Sequence, residues 1–334
     1  MKEQSDQSGG EDEREDIGVE PLEVGPLLDE DDGSSYLLPK HHRCACHLMN
    51  LVATVDLKSA NDNPGYKKLS CSSFAKCQSL WNKSSRSPAV SEIIEEHCKL
   101  QLLRPCETRF TPVEIEFLCE YVKTMSPVAK AVDVLQGESK VQMGWLVPTI
   151  TLLKSKLKSL HATSKHCGPL VVALQAALER RFREMLVDPE LIAAAILVPK
   201  FRTHWTTDES ILKRSLDYIK THLEEQTGAT QSDGHVSSEE EGDFFSSIKR
   251  NDQRDSNTKQ LESYLLSQTD TMDILKTVPS VCRLSVKLNT PLPASAACER
   301  LFSTAGNIFT PRRARLGSKL FENLILMRLN RKFC

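Results

Sequence analysis

The sequence lacks the long apolar runs that cross membranes and the apolar leader that directs secretion. No window approaches the roughly 18 consecutive apolar residues of a membrane-spanning helix. The first residues are rich in Glu and Asp, and they contain no apolar segment of the signal-peptide kind. We therefore expect a soluble, intracellular protein without a signal peptide, in which the eleven cysteines remain thiols.

Common catalytic motifs are also missing. The sequence contains no Gly-x-Ser-x-Gly, no glycine-rich phosphate loop and no cysteine–histidine pairing with a recognisable local signature. These absences argue against a hydrolase with a nucleophilic triad. We expect no cofactor, no small-molecule substrate and no membrane partner.

Candidate metal ligands are few and poorly spaced. Cys44, Cys46 and His47 lie close together, and Cys71 and Cys77 follow downstream. A structural zinc site normally needs four ligands, often as two pairs with short spacing. The first group is too cramped for three ligands to reach one ion easily, and the second is not a standard pair. We expect buried thiols and a hydrogen-bonded histidine on a core-facing helix, and no metal.

Charge is unevenly distributed, although the formal net charge is only −2. Residues 1–33 carry thirteen acidic and two basic side chains, whereas residues 311–332 carry seven basic and one acidic. This asymmetry predicts a solvated acidic tail, disordered over 1–39, and a basic segment that could meet nucleic acid or another acidic surface. A second polar stretch, 227–258, predicts a disordered linker.

Residues 111–226 have the periodicity of successive amphipathic helices. Thr111, Pro112 and Glu114 have the form of a capping box, which predicts the start of the first helix. We expect that helix to bend or end near Pro127. Its predicted buried residues are Ile115, Leu118, Val122 and Met125. The segment “PELIAAAILVP” (189–199) is apolar on most sides and predicts a helix buried in a bundle.

The C-terminal segment predicts a final helix that begins near Ser318. This helix is apolar around most of its circumference, so it has to be covered on more than one side, by its own domain or by a second copy of the chain. Its apolar residues form two stripes with one residue beside them: Leu320, Leu324 and Met327; Phe321, Ile325 and Leu329; and Leu326.

The segment “PLPASAACERLFSTAGNIFTPRRARLGSKLFENLILMRLNRKF” (291–333) is the most distinctive part of the chain. It closely resembles the C-terminal dimerisation region of hAT-family transposases and of the host proteins derived from them. The stretch “RCACHLMNLVATVD” (43–56) resembles the family's Cys-x-x-His-x-x-Asn-Leu stretch. Three further segments also look like the family: “PCETR” (105–109), “EFLCEYVKTMSPVAKAVDVLQGE” (116–138) and “ILVPKFRTHW” (196–205).

The resemblance implies an α/β, mostly helical fold with a partial ribonuclease H-like core and an all-α insertion. The core fragment is expected at 40–110, the helical insertion at 111–226 and the dimerisation region at 259–334. In the family, the glutamate of the Cys-Glu-Arg-x-Phe-Ser motif is the third acid of an Asp-Asp-Glu catalytic site. Glu299 matches that position.

The chain also departs from the family in ways that affect catalysis. The family's two catalytic aspartates precede the Cys-x-x-His stretch, but no Thr-Asp-Asn-type motif occurs before Cys44. The BED-type zinc finger of many relatives, with its paired Cys and His ligands, is absent as well. We therefore expect Glu299 to be vestigial and the chain to be catalytically inactive, not an enzyme. The alternative is that the chain is a fragment of an active transposase, which would use two Mg²⁺ ions.

Two binding functions follow from these features. The first is dimerisation in the nucleus, with the chain itself or with related transposase-like chains as the partner. The residues expected at that interface are Leu301, Phe302, Leu320, Phe321, Leu324, Ile325 and Leu329. The alternative is a nuclear DNA-binding, transcription-regulating protein that makes weak, non-specific phosphate contacts. The residues expected to make those contacts are Arg312, Arg313, Arg315 and Lys319.

Overall fold

A computed structural model describes residues 42–86, 110–137, 141–229, 246–310, 313 and 315–329. The chain divides into two compact units, Met1–Arg43 and Cys44–Cys334. The acidic tail expected at 1–39 lies outside the described residues. Within the part that is described, no helix is both long and apolar enough to cross a membrane.

The second unit is built from helices. The ranges that the structure describes contain no strand, so the mostly helical character is confirmed, while the ribonuclease H-like core stays a prediction. Short 3₁₀ segments occur at Asp56–Asp62, Met143–Trp145 and Met272–Thr277. The helices are α1 (Ala45–Thr54), α2 (Pro64–Arg86), α3 (Pro112–Leu135), α4 (Leu146–Thr163), α5 (Gly168–Val187), α6 (Pro189–Ile196), α7 (Glu209–Ala229), α8 (Ser246–Leu266), α9 (Pro279–Asn289), α10 (Ala296–Ile308) and α11 (Ser318–Leu329).

The hydrophobic core is centred on α5 and α6. Helix α5 contacts α1, α4, α6 and the 3₁₀ segment Asp56–Asp62, and it buries a continuous apolar stripe that includes Leu174 and Phe182. Helix α6 contacts α4, α5, α7 and α9. All residues from Leu191 to Ile196 are buried, as its apolar composition predicts.

Segments that the sequence assigns to different domains share this core. Apolar residues of α1, α3, α5 and α9 belong to one cluster of buried side chains. Helices α7 and α8 extend into the range 227–258, and residues 230–245 lie outside the described part. The domain boundaries themselves stay a prediction.

Helix α3 starts where its sequence predicts but buries a different face. The Glu114 N–H donates to Thr111 Oγ1 at 3.3 Å, and the Thr111 N–H donates to Glu114 Oε2 at 2.7 Å, which completes the capping box. Phe117 is fully buried, with ring contacts to Tyr66 at 5.7 Å and to Phe74 at 5.9 Å. This aromatic cluster sets the rotation of the helix.

The expected apolar stripe of α3 therefore lies at the edge of the core. Ile115 and Val122 are exposed, and Leu118 and Met125 are only half-buried. The helix also continues through Pro127 to Leu135, so of the two expected alternatives, a bend or an end near Pro127, the end is wrong. Proline weakens a helix interior because it lacks an N–H group, but the buried side chains that follow hold this turn in the core.

A buried asparagine joins three elements of the core. Asn289, the last residue of α9, accepts the Gly144 N–H at 2.8 Å and donates through Nδ2 to the Ala194 carbonyl of α6 at 3.0 Å. Ser285, one turn earlier, donates to the Leu197 carbonyl at 3.0 Å. These bonds fix α9 and the start of α4 against α6, since an unpaired polar group at this depth would be costly.

The start of α5 is stabilised by a carboxylate from α3. Glu120 accepts backbone N–H groups of Lys165, His166 and Cys167 and the hydroxyl of Ser164, at 2.9–3.2 Å. Burial raises the pKa of Glu120, but these hydrogen bonds outweigh burial and bring its pKa to about 2. The negative charge also lies at the positive end of the α5 dipole.

Gly144→Ala should lower the free energy of unfolding by about 1–3 kcal/mol. An added Cβ would lie 2.3 Å from the Ala194 oxygen and 2.6 Å from Asn289 Oδ1. Urea unfolding followed by circular dichroism measures the change. Gly306→Ala is the matched control, because a Cβ there meets nothing within 4 Å, and it should stabilise by up to about 1 kcal/mol. If Gly144→Ala had the same free energy of unfolding as the wild type, this close packing would be contradicted.

Glu120→Gln should destabilise the protein at neutral pH by about 1 kcal/mol, because solvent screens this half-exposed carboxylate. The folded-state pKa of Glu120 lies below its unfolded value of about 4.3. Its contribution is therefore complete above that value and is lost as pH falls toward 2. Thermal melts between pH 7 and pH 2 should show the wild-type advantage shrinking. Glu184→Gln, which removes an exposed carboxylate on α5, is the control for the change in net charge.

Candidate functional site

Helices α10 and α11 form a hairpin at the C-terminal end of the described chain. They pack on each other, and the rings of Phe309 and Phe321 meet edge to face at 5.6 Å between centroids. Ala305 and Ile308 are buried on α10. The half-buried residues expected at the interface are Leu301, Phe321, Leu324 and Ile325. Contacts within the chain already cover part of each of these side chains.

Large apolar side chains are exposed on both helices of the hairpin. Phe302 on α10 is 72% exposed, and Met327 on α11 is 60% exposed. Leu320, Leu326 and Phe309 are each more than half exposed. Of the residues that the sequence assigns to dimerisation, Phe302 and Leu320 thus face outward, while the Leu329 side chain lies outside the described residues.

Three of these outward residues were absent from the expected interface. Met327 belongs to one apolar stripe of the last helix and Leu326 lies beside the stripes, but the periodicity alone does not show which side of the helix α10 covers. Phe309 lies beyond the last turn of α10, where helix periodicity gives no signal. We refer to Phe302, Phe309, Leu320, Leu326 and Met327 together as the outer surface of the hairpin.

The hairpin is joined to the rest of the unit near the start of α10. The Ala45 N–H donates to the Pro293 carbonyl at 2.9 Å, and the Ser295 N–H donates to Cys44 Sγ at 3.3 Å. The Arg300 guanidinium donates to the Gln136 carbonyl at 3.1 Å. We call the Cys44–Ala45 and Pro293–Ser295 contacts the hairpin joint.

Glu299, the residue that matches the family's third acid, is exposed in the first turn of α10. Its Oε1 accepts the hydroxyl of Ser295 at 2.8 Å. Among the described residues, it belongs to no group of three potential ligands close enough to share an ion. In this setting the carboxylate stabilises the N-terminal end of α10 through its charge and its hydrogen bond.

The cysteines and histidine of the N-terminal cluster do not converge on one point. No set of three ligand atoms from Cys44, Cys46, His47, Cys71 and Cys77 comes together in the described part of the chain. Burial raises the pKa of the Cys46 thiol to about 11 and also raises the pKa of the Cys77 thiol. Neutral thiols are poor metal ligands, because metals bind the thiolate.

One cluster of acidic and histidine ligands does occur, formed by Glu116, Glu120 and His166. The Lys165 ammonium lies 2.7 Å from Glu116, and Glu120 already accepts hydrogen bonds at the start of α5. Hydrogen bonding to Lys165 and then to His166 lowers the pKa of Glu116. Because the Lys165 ammonium group already pairs with Glu116, we interpret this cluster as a structural ion-pair network.

The described basic residues from the end of α10 to the first turn of α11 are exposed. Arg313, Arg315 and Lys319 face solvent, and Arg312 lies outside the described residues. Within the described ranges, none of the ion pairs involves these three side chains. They are therefore accessible to an acidic partner.

The segment 196–205, which also contributed to the family resemblance, has a structural role. Arg202 is only 2% exposed and has a left-handed backbone conformation with φ of 43°. Its guanidinium lies 5.2 Å from the centre of the Tyr264 ring and donates to the Thr269 carbonyl at 2.6 Å. Tyr264 in turn donates to the Ile196 carbonyl at 3.0 Å. These contacts attach α8 to the end of α6.

Comparison with known proteins finds a distant similarity. The chain is 22% identical over 240 residues to the human Zinc finger BED domain-containing protein 4, an alignment that covers 64% of this chain. The chain matches only 20% of the length of that protein. No model of a known protein family matches the chain.

Proposed function

We propose that this chain is a catalytically inactive, transposase-derived protein of the nucleus whose C-terminal hairpin mediates self-association. The observation that carries the proposal is the outer surface of the hairpin, where five large apolar side chains are more than half exposed. Such a concentration of apolar surface is typical of a protein-binding site. The similarity to a BED zinc finger protein supports the transposase-derived origin and the nuclear location.

The hairpin has little packing of its own to stabilise it. Helix α11 has 12 residues, a length at which an isolated helix is only marginally stable. Its main packing partner is α10. A two-helix hairpin with apolar residues on both sides gains stability when a second apolar surface covers it.

A second copy of the chain fits this surface better than an unrelated partner. In a two-fold dimer the same patch meets itself, so a rim that contains both signs of charge can pair with its own copy. Around the apolar residues of α11, Lys319 and Arg328 provide positive charge and Glu322 provides negative charge, and all three are exposed. A related transposase-like chain with the same hairpin would satisfy the same conditions.

The surroundings of Glu299 fit a structural role for this residue. Metal-dependent strand transfer needs several carboxylates that hold two ions about 4 Å apart. In the part of the chain that the structure describes, Glu299 has Ser295 as its hydrogen-bond partner and no neighbouring acids that could complete such a site. We therefore propose a structural role for Glu299 in α10.

Phe302→Gln and Met327→Gln should each weaken self-association by about thirtyfold, the equivalent of about 2 kcal/mol for the loss of one apolar anchor. Glutamine is a good helix former, and both side chains point outward, so the hairpin itself should remain folded. Light scattering coupled to size exclusion at two protein concentrations gives the oligomeric state, and sedimentation equilibrium gives the dissociation constant.

Leu152→Gln is the matched control for these variants. Leu152 is an exposed apolar residue on α4 and lies outside the hairpin, so its replacement should leave the dissociation constant unchanged. A wild-type chain that remains monomeric at both concentrations would refute self-association. An equal loss in Leu152→Gln would show that association does not use the hairpin specifically.

A second candidate function, non-specific DNA binding, is favoured by the exposed basic turn. Arg313, Arg315 and Lys319 lie within seven residues of one another and form no ion pair with another described residue. Cations in such an arrangement can contact successive phosphates, which gives weak and strongly salt-dependent binding.

The triple variant Arg313→Gln, Arg315→Gln, Lys319→Gln should reduce the salt dependence of DNA affinity. Each lost phosphate contact lowers the slope of log affinity against log salt by about 0.9. Fluorescence anisotropy of a labelled duplex between 50 and 200 mM NaCl measures this slope. Lys156→Gln with Lys158→Gln, two exposed lysines on α4, is the control. No binding by the wild-type chain at the lower salt would exclude the function.

A further inference from the structure

Ser318 follows a pattern of arginines that basophilic protein kinases recognise. Arg313 lies five residues before this serine, and Arg315 lies three residues before it. Kinases of this class bind arginines at those two positions through acidic groups of their substrate groove, and such charge patterns determine which hydroxyl is modified. In the whole sequence, no other serine or threonine has arginines at both positions.

The structure leaves this serine and its arginines accessible. Ser318 is the first residue of α11 and is exposed, and Arg313 and Arg315 are exposed as well. Residues 315–317 lie outside any helix, and the Leu316 N–H donates to the Arg313 carbonyl at 2.9 Å. A kinase binds its substrate in an extended conformation, so only the first turn of α11 has to open, and helix ends open easily.

We propose that Ser318 is a phosphorylation site of a basophilic serine/threonine kinase and that its phosphate regulates the basic turn formed by Arg313, Arg315 and Lys319. The second substrate is magnesium ATP. The Ser318 oxygen attacks the γ-phosphorus, the bond from that phosphorus to the bridging oxygen breaks, and ADP leaves. The hydroxyl proton passes to the catalytic carboxylate of the kinase.

The phosphate acts on both the turn and the helix. It carries about −1.5 to −2 charges at pH 7, and it lies directly before Lys319 in the sequence, so it offsets about two of the three positive charges of the turn. It also lies at the positive end of the α11 dipole, beside backbone N–H groups that have no partner within the helix. We therefore expect weaker DNA binding and a more stable start of α11.

The site is tested on the full-length chain with magnesium ATP and a recombinant kinase that requires arginine at both positions. Peptide mass spectrometry follows each phosphorylated residue over time. Ser318 should be modified at least about tenfold faster than Ser159. Ser159 has lysines, Lys154 and Lys156, at the same two positions, but it lies inside α4. Equal rates at the two serines would overturn the proposal.

Two variants test recognition by the arginines. Arg315→Gln should slow the modification of Ser318 at least about tenfold, because it removes one of the two recognised cations. Lys319→Gln is the matched control: it removes an exposed cation that follows the serine, so the rate should stay at the wild-type value. A wild-type rate in Arg315→Gln would overturn the assignment of the kinase class.

The phosphorylated chain then tests the two consequences. The slope of log DNA affinity against log salt should fall by about 1.8, since about two cations are offset. This readout rests on the proposed DNA binding, whereas hydrogen exchange does not. The Phe321 N–H, which donates to the Gly317 carbonyl at 3.0 Å, should exchange about two- to fivefold more slowly. Ser318→Ala, treated in the same way, should behave like the untreated chain in both measurements.

The outcomes separate this proposal from the proposed DNA binding. An unchanged slope in a chain that binds DNA would overturn the effect on the basic turn. A chain that does not bind DNA would refute that function, and the exchange of the Phe321 amide would still test the phosphate at Ser318. Unchanged exchange of that amide after phosphorylation would overturn the effect on α11.

Discussion

The hydrogen bonds of the Asn289 carboxamide are the interactions on which the helical body depends. The carboxamide pairs with an N–H before α4 and with a carbonyl of α6, so it fixes two elements that are far from it in sequence. Apolar packing alone tolerates small shifts of one helix against another, but a buried amide with specific partners does not. Gly144 is part of the same arrangement, because only a residue without a side chain allows its backbone to approach Ala194 so closely.

The hairpin is attached to this body in a different way. The body is held by a continuous set of buried side chains, whereas the contacts between the hairpin and the body include the hydrogen bonds near Cys44 and the one made by Arg300. Backbone contacts at a partly exposed position open more easily than core packing. The same arrangement leaves the apolar outer surface of the hairpin accessible to solvent.

The sequence predicts much of the local structure and little of the packing between distant segments. The Thr111–Glu114 capping box and the buried helix α6 follow from local patterns. The buried face of α3 does not, because Tyr66 and Phe74 come from α2 and meet Phe117 only in the folded chain. Similarly, the apolar stripes of α11 are visible in the sequence, but the contact with α10 decides which of them remains exposed. The joint pairs residues 251 positions apart, so no local pattern could predict it.

The start of α10 contains both the motif that resembles the family and the residues of the hairpin joint. The same few residues carry the resemblance to a catalytic motif and the contacts that hold the hairpin. A carboxylate that binds metal has to keep its oxygens available and lie near other acids. Glu299 instead accepts a hydrogen bond from the hydroxyl of Ser295, the N-cap residue of α10, and Arg300 follows it in the sequence. That arrangement is typical of a carboxylate that stabilises the N-terminal end of a helix.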